Sequence, residues 1–264
     1  FTKGLLEKQK LLDQSVYKFK PSIIIHLAAQ AGVRYSIENP DVYLSSNILG
    51  TFNVLNISNR IGLKHLIIGS SSSVYGANRK IPFQEIDKTD HQVSFYAATK
   101  KSTESLAHSY SSLWKLPITM LRFFTVYGPY GRPDMAYFKF TKQIKEKKNI
   151  YLHNYGDHSR DFTYIDDCIE SITKLIYLIN KKKMNTIVNI AGGKKVNIKH
   201  MVKLIEKNLN TKAKILFKPL QFGDVKNTFS NPKKLKSMIN YKPKTSLEIG
   251  IKNFCDWYKK FYNI

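Results

Sequence analysis

The sequence predicts an α/β fold built on a parallel sheet, with a smaller C-terminal lobe. Short β-branched apolar runs at residues 22–28 (SIIIHLA), 63–69 (LKHLIIG) and 117–124 (PITMLRFF) alternate with segments of helical character at 41–57 and 94–112. Strand, helix, strand, helix, strand at this pitch is the pattern of βαβ units. Their strands are covered on both faces and so read as near-continuous apolar runs. An apolar content of 42% over 264 residues is enough for one sizeable core, or for a main domain with a lobe.

Each element follows in order. The first run comes just after Pro21 and reads as a buried strand. Asn39-Pro40 then punctuates the chain, and residues 41–57 place Val42, Leu49, Val54 and Leu55 at helical spacing. The second strand, 63–69, runs into a serine-rich stretch, 70–76, that ends in Gly76. Residues 94–112 contain few helix breakers, and 117–124 is the third strand. Gly128-Pro129-Tyr130-Gly131-Arg132-Pro133 reads as a loop. Helices are expected at 135–147, 165–180, 198–209 and 246–261, with a further strand at 185–191 ended by Gly192-Gly193. Neither an internal repeat nor a low-complexity linker is present. The expected division is residues 1–127 as a main domain and 128–264 as the lobe, with 185–193 returning to the main sheet.

Composition narrows the function classes. No run of 18 apolar residues occurs, so no membrane partner is expected. The chain starts at Phe1, and nothing there reads as a signal peptide. Cys168 and Cys255 form no Cys-x-x-Cys pair and no zinc-ligand cluster. They read as free thiols in a reducing compartment, which points to the cytoplasm and to no metal. The net charge of +24 raises a nucleic-acid partner as one reading. The preferred one is lysines on solvated helix faces, as in Lys181-Lys182-Lys183 and Lys233-Lys234-Leu235-Lys236. No zinc finger or basic amphipathic helix accompanies the charge, so no nucleic acid is expected. A positive field also favours a small anionic substrate.

One constellation carries chemistry. Tyr96 and Lys100 are four residues apart inside the predicted 94–112 helix, so both address one side of it. The serines Ser70, Ser71, Ser72 and Ser73 follow a strand, and in open parallel sheets ligands bind at that end. A free phenol has a pKa of about 10 and is a poor base. A lysine cation nearby favours the phenolate, which can then take a proton from a substrate hydroxyl. A serine hydroxyl can hold that same oxygen. Alone, a Tyr-x-x-x-Lys spacing is weak, since an amphipathic helix with a surface lysine produces it too.

The surrounding residues supply the context. The run 26–36 (HLAAQAGVRYS), Asn47 in SNILGT, 70–76 (SSSSVYG), Tyr96-Ala97-Ala98-Thr99-Lys100, 121–129 (LRFFTVYGP), 160–167 (RDFTYIDD) and 221–225 (QFGDV) together resemble the extended short-chain dehydrogenase/reductase family, in particular its sugar-nucleotide epimerases. The matches run from about residue 18 to 255. The subfamily signal, in 31–36 and 128–136, is similar to the UDP-glucuronate 4-epimerases.

The resemblance implies a Rossmann-type doubly wound sheet, an NAD cofactor and a UDP-sugar substrate. By it, Tyr96, Lys100, Ser71 and Ser73 are catalytic. Leu27, Ala28, Ala29, Gln30, Asn47, Ser70 and Phe123, with Tyr96 and Lys100, would contact NAD, and Asn47 would support the lysine through water. Arg34, Ser72, Thr125, Arg132, Met135, Phe138, Lys139, Arg160, Gln221 and Asp224 would contact substrate, Arg160 pairing with the diphosphate. Arg34 and Arg132 are candidates for an acidic sugar, though each could equally bind phosphate or a backbone carbonyl. The family's 4,6-dehydratases carry an Asp-Glu pair directly after the catalytic Ser/Thr. Here Ser71 is followed by Ser72 and Ser73, which favours epimerisation at C4. A neutral UDP-sugar substrate, or an inactive cofactor-free fragment, are the alternatives. The family commonly dimerises through two helices per subunit, here 41–57 and 94–112, as a four-helix bundle.

Two departures stand out. The family's Gly-x-x-Gly-x-x-Gly phosphate loop does not occur, and Gly4 is followed by Leu5 where a Gly-Asp pair is expected. The first strands of the sheet are therefore expected to be missing, about 60 residues by comparison with the complete layout. Such a fragment is expected to bind NAD poorly by itself and to expose a sheet edge. Asn231 also stands where the family more often has Asp.

Overall fold

The computed structural model describes residues 1–181, 184–221, 223–241 and 243–263. Lys182 and Lys183 of the lysine run, and Phe222 of the 221–225 motif, lie outside the described residues. Contacts divide the chain into two units: residues 1–80, 85–123 and 175–189, and residues 81–84, 124–174 and 190–264.

The first unit opens with a helix that the sequence reading did not assign, α1 (Gln9–Phe19). Only Val16 of this helix is buried. Leu6 and Leu12 pack against the unit's core, and Asp13 receives both bonds of Arg60 at 2.6 Å. Strand β1 (Ile23–His26) follows, then the short helices α2 (Tyr35–Glu38) and α3 (Pro40–Tyr43). The expected 41–57 helix is not one regular element. A π-helical stretch, Leu44–Leu49, separates α3 from α4 (Gly50–Arg60). Wide turns of this kind gather at functional sites, and this one carries the buried Asn47.

Strand β2 (His65–Ser71) is buried at every position, as its apolar run implies, and a 3-10 turn, Ser72–Tyr75, follows it. Helix α5 (Phe95–Trp114) starts at Ser94, whose side chain accepts the Ala97 N–H. Strand β3 (Ile118–Phe123) comes next. β1 pairs with β2, and β2 with β3, both parallel, and the sheet order is β1-β2-β3-β8, with β8 at Thr186–Ile190. Register sets Gly69 beside Leu121 and Ser71 beside Phe123. Leu55, Leu66, Ile68, Ala107, Ile118 and Met120 form the core between α4, α5 and the sheet.

The second unit holds β4 (Thr125–Tyr127), α6 (Ala136–Lys145), β5 (Asn149–Leu152), β6 (Ser159–Arg160), β7 (Phe162–Tyr164) and the start of α7 (Ile165–Lys181). It continues with β9 (Val196–Asn197), α8 (Ile198–Leu209), β10 (Lys214–Phe217), α9 (Lys233–Ile239) and α10 (Leu247–Phe261). β4 pairs with β7 and β5 with β10 in parallel, and β6 with β9 antiparallel. An aromatic core gathers Tyr127, Tyr137, Phe138, Phe254 and Tyr258. Asp161 fastens this unit: its carboxylate accepts the N–H groups of Gly192, Gly193 and Ser230, and its carbonyl accepts that of Thr125. Burial pushes the Asp161 carboxyl up to about 6 against those donors.

Candidate active site

Within the first unit, the predicted residues gather at the C-terminal ends of β1, β2 and β3. The reason is local. β2 runs apolar until Gly69, then turns polar at Ser70, and the chain leaves the sheet. Ser71 is extended, with φ −149°, and its Oγ accepts the Ser73 N–H at 3.2 Å, capping the turn. The same Oγ lies 3.2 Å from Ser73 Oγ, to which it donates. Two hydroxyls are thus held side by side, and Ser72 is half-buried beside them.

Helix α5 supplies the other half. Its spacing sets Tyr96, Lys100 and Glu104 one turn apart along one side. Lys100 is 7% exposed, and its Nζ donates to the Gly69 carbonyl at 2.7 Å. Burial pulls this amine down to about 8, so the ammonium persists at neutral pH. Gly69 is closely lined: a Cβ there would meet Leu27 Cδ2 at 3.3 Å and Phe123 Cε2 at 3.4 Å. Those contacts put Leu27 and Phe123 at the same spot as the lysine.

Asn47 joins the loop after β1 to α5. Its Oδ1 accepts the Gln30 N–H at 2.8 Å, and its Nδ2 donates to the Gln30 carbonyl and to Thr99 Oγ1, each at 3.0 Å. Thr99 Oγ1 in turn donates to the Tyr96 carbonyl at 2.8 Å. Leu27 and Ala28 are exposed, and Ala29 and Gln30 half-buried. Small side chains there leave the backbone approachable. Arg34 is exposed just before α2.

Beneath this set lies an ion pair the sequence reading missed. Arg122 and Glu104 are 2% and 4% exposed and bond through two contacts, 2.9 and 2.8 Å. Ser70 Oγ donates to Glu104 at 2.6 Å, and the Arg122 guanidinium lies 4.8 Å from the Tyr75 ring centre. Ser70 therefore faces Glu104, while Ser71 bonds with Ser73. The position of Glu104, four residues beyond Lys100, was the available signal.

The remaining predicted residues belong to the second unit. Thr125 begins β4 and is half-buried. Arg132 is bonded to the Asp134 carboxylate at 2.9 and 2.5 Å, both residues about half exposed. Met135 caps α6 and leans on the aromatic core, and Lys139 is exposed. Phe138, expected as a substrate contact, packs into the aromatic core. It is 3% exposed, and its ring is enclosed by Phe254, Trp257 and Tyr258. Helical period turns its side chain into the core and its neighbour Lys139 outward. Arg160 Nη1 donates to the Ser159 and Lys226 carbonyls at 3.0 and 3.1 Å, which fixes the plane of the guanidinium. Burial lowers its pKa, and the Asp224 carboxylate works in the opposite direction. Gln221 is half-buried, and its carbonyl accepts the Asp224 N–H at 3.2 Å. Arg160, Gln221 and Asp224 thus form one polar group.

No three His, Cys, Asp or Glu side chains among the described residues are arranged to hold a metal, and no helix among them is long and apolar enough to cross a membrane. Cys168 and Cys255 are buried free thiols.

The arrangement has close counterparts. A probable UDP-glucuronate 4-epimerase of Rhizobium meliloti (strain 1021) is 44% identical over 275 residues, covering 98% of this chain and 81% of that protein. The crystal structure of UDP-glucuronic acid 4-epimerase from Bacillus cereus, in complex with UDP-glucuronic acid and NAD, superposes with a TM-score of 0.89 at 33% identity, over 95% of this chain and 79% of that one. The UDP-glucose 4-epimerase of Thermotoga maritima, with UDP-glucose, gives a TM-score of 0.93 at 27% identity, over 99% and 85%. The family model described as NAD dependent epimerase/dehydratase matches residues 1–191, and with these likenesses the chain belongs to that family.

Proposed function

We propose that this chain carries out NAD-dependent epimerisation at C4 of a UDP-sugar, converting UDP-glucuronate to UDP-galacturonate through a 4-keto sugar. The observation that carries this is the buried Lys100 amine. It is anchored on Gly69, one turn of α5 from Tyr96, at the strand end where Ser71 and Ser73 offer paired hydroxyls. The likeness to relatives named as UDP-glucuronate 4-epimerases supports the choice of sugar.

The donor set fits the nicotinamide-ribose half of NAD. It offers an ammonium, an amide-pinned loop at Gln30 and small, approachable residues at 28 and 29. Leu27, Ser70 and Phe123 complete the proposed cofactor contacts. NAD, when bound, supplies reversible hydride acceptance at C4. Tyr96 takes the proton from the C4 hydroxyl and returns it to that same oxygen once the 4-keto sugar has turned its other face toward the cofactor site. The Lys100 cation favours the phenolate. Ser71 and Ser73 hold the C4 oxygen, and Ser72 supports the sugar. In the second unit, Arg160, Gln221 and Asp224 hold the UDP moiety, so that the sugar can turn about its link to the diphosphate without release. Thr125 and Arg132 serve the sugar, with Arg34, Met135 and Lys139 as further contacts. Residues 1–127 act as the cofactor domain and 128–264 mainly as the substrate lobe. The enzyme works in the cytoplasm as a dimer through 41–57 and 94–112, where Leu44, Leu49 and Phe52 stand exposed.

The test is turnover of paired sugars with NAD. Tyr96→Phe should abolish conversion of UDP-glucuronate while UDP still binds. Retained activity in Tyr96→Phe, or a clear preference for UDP-glucose, would overturn the assignment. Light scattering should give twice the chain mass.

A further inference from the structure

We infer that Ser36 is a positioning residue, which fixes the first turn of α5 and with it the working phenol. This rests on the role proposed above for Tyr96. The first four N–H groups of a helix lack partners within it. In α5, Ser94 Oγ caps one of them, the Ala97 N–H, at 3.1 Å. The Tyr96 N–H is capped differently. It donates to Ser36 Oγ at 3.1 Å, from 60 residues away in sequence. Ser36 is 1% exposed, and its own hydroxyl proton goes to the Val33 carbonyl at 2.6 Å. Both sides of that hydroxyl are therefore in use.

The loop that leads into α2, the short helix that carries Ser36, is itself pinned. Gly32 has φ +112°, a conformation that L side chains rarely adopt. The buried Tyr43 hydroxyl donates to the Gly32 carbonyl at 2.6 Å. The Tyr43 ring also meets the Tyr96 ring edge-on, with centres 6.1 Å apart at 74°. On the other side, Asn47 and Thr99 hold the Tyr96 carbonyl through the bonds described above. Tyr96 is thus gripped at its N–H, its ring and its carbonyl by residues drawn from one stretch of chain, 32–47, and from its own helix. A proton-transfer group needs this restraint, because a small misplacement costs rate directly.

The test uses the full chain with Ser36→Ala, Tyr43→Phe and Tyr96→Phe, read by site-resolved amide hydrogen exchange and by steady-state kinetics on UDP-glucuronate with NAD. Ser36→Ala should speed exchange at the Tyr96 amide about tenfold while Ala97 stays protected, the equivalent of one lost hydrogen bond. It should lower kcat about 10- to 100-fold with KM changed less than twofold. Tyr43→Phe keeps the ring and loses only the hydroxyl, so it should show the same split in smaller measure, and it decides the matter if Ser36→Ala does not fold. If Tyr96→Phe stays active, the role of Tyr96 falls, whatever Ser36 does. If Tyr96→Phe is dead while Ser36→Ala and Tyr43→Phe keep wild-type kcat and Tyr96 amide protection, the positioning role of Ser36 is overturned. Without measurable turnover, the exchange result alone decides.

Discussion

Asn47 and Gln30 exchange two hydrogen bonds, side-chain amide against backbone amide, at 2.8 and 3.0 Å. The pairing copies one rung of a sheet using a side chain. It needs a donor and an acceptor side by side on one planar amide, as Asn and Gln carry. Asn47→Asp should therefore fail almost as badly as Asn47→Leu. The aspartate turns an oxygen toward the Gln30 carbonyl, and leucine strands both Gln30 groups. Each should cost about 2–3 kcal/mol, the penalty for buried polar groups left unmet. Urea denaturation at unchanged m-value is the measurement. A loss under about 0.5 kcal/mol for Asn47→Leu would show the pairing to be incidental.

Lys100 ties pH to both rate and stability. Burial holds its amine down to about 8, so the ammonium is lost as pH rises through that value. Turnover should fall on the alkaline side with a midpoint of about 8, and Lys100→Met should be inactive throughout. Stability moves in the opposite sense. The unfolded lysine keeps its proton to about pH 10.4. Between about 8 and 10 the unfolded chain therefore binds more protons, and stability climbs with pH. The difference between the parent chain and Lys100→Met, by urea denaturation at several pH values, isolates that slope.

How much of this the sequence disclosed depends on the reach of each interaction. β1, β2 and β3 were legible because their apolar runs are continuous, and α5 because Ser94 announces its start. Tyr96 and Lys100 were legible because helical spacing is local. The Ser36 bond to Tyr96 spans 60 positions and had no local signature. Helix α1 escaped because its apolar positions are interrupted by Lys10, Asp13 and Lys18, and its inner face is small, Val16 being buried and Leu12 packing against the core. The burial of Phe138 was not legible, because a motif match says nothing of which way a helical side chain turns.

The Glu104–Arg122 pair should be among the most sensitive points of the first unit. Both side chains are almost fully buried and doubly bonded. Glu104→Gln or Arg122→Met alone should cost about 3–5 kcal/mol, because a buried charge is left without its partner. Replacing both with Leu and Met should cost less than the sum. A double-mutant cycle by chemical denaturation measures the coupling, and additive losses would contradict it.

Arg132 and Asp134 form a bidentate pair at about half exposure, so its contribution to stability is small, about 0–1 kcal/mol. Its effect should appear in selectivity. Arg132→Lys loses the planar fork that matches a carboxylate. It should raise KM for UDP-glucuronate about tenfold and leave UDP-glucose kinetics nearly unchanged. Asp134→Asn frees the fork and should shift the same ratio less. Equal effects on both sugars would move Arg132 from the sugar to a shared part of the substrate.

His26 makes the fold sensitive to acid. It ends β1, and its Nε2 shares a proton with Thr51 Oγ1 of α4 at 2.9 Å. Burial first, and the Lys100 charge second, hold its pKa down to about 4. His65 is likewise held down to about 4 by burial, against Thr119 Oγ1 at 2.9 Å. An unfolded histidine takes its proton at about pH 6.5. Between 6.5 and 4 the unfolded chain therefore binds more protons than the folded one, and stability drains away as pH falls through that window. For His26 the loss should reach about 3 kcal/mol at pH 4. His26→Gln keeps a polar partner for Thr51 but cannot take up the proton. It should start less stable at pH 7 and lose less on acidification. Unfolding free energies at pH 7, 6, 5 and 4 give the two slopes. Carboxylates titrating in the same range act on both chains alike, so only the difference between the slopes counts, and parallel curves would clear His26 of any part in the acid limit.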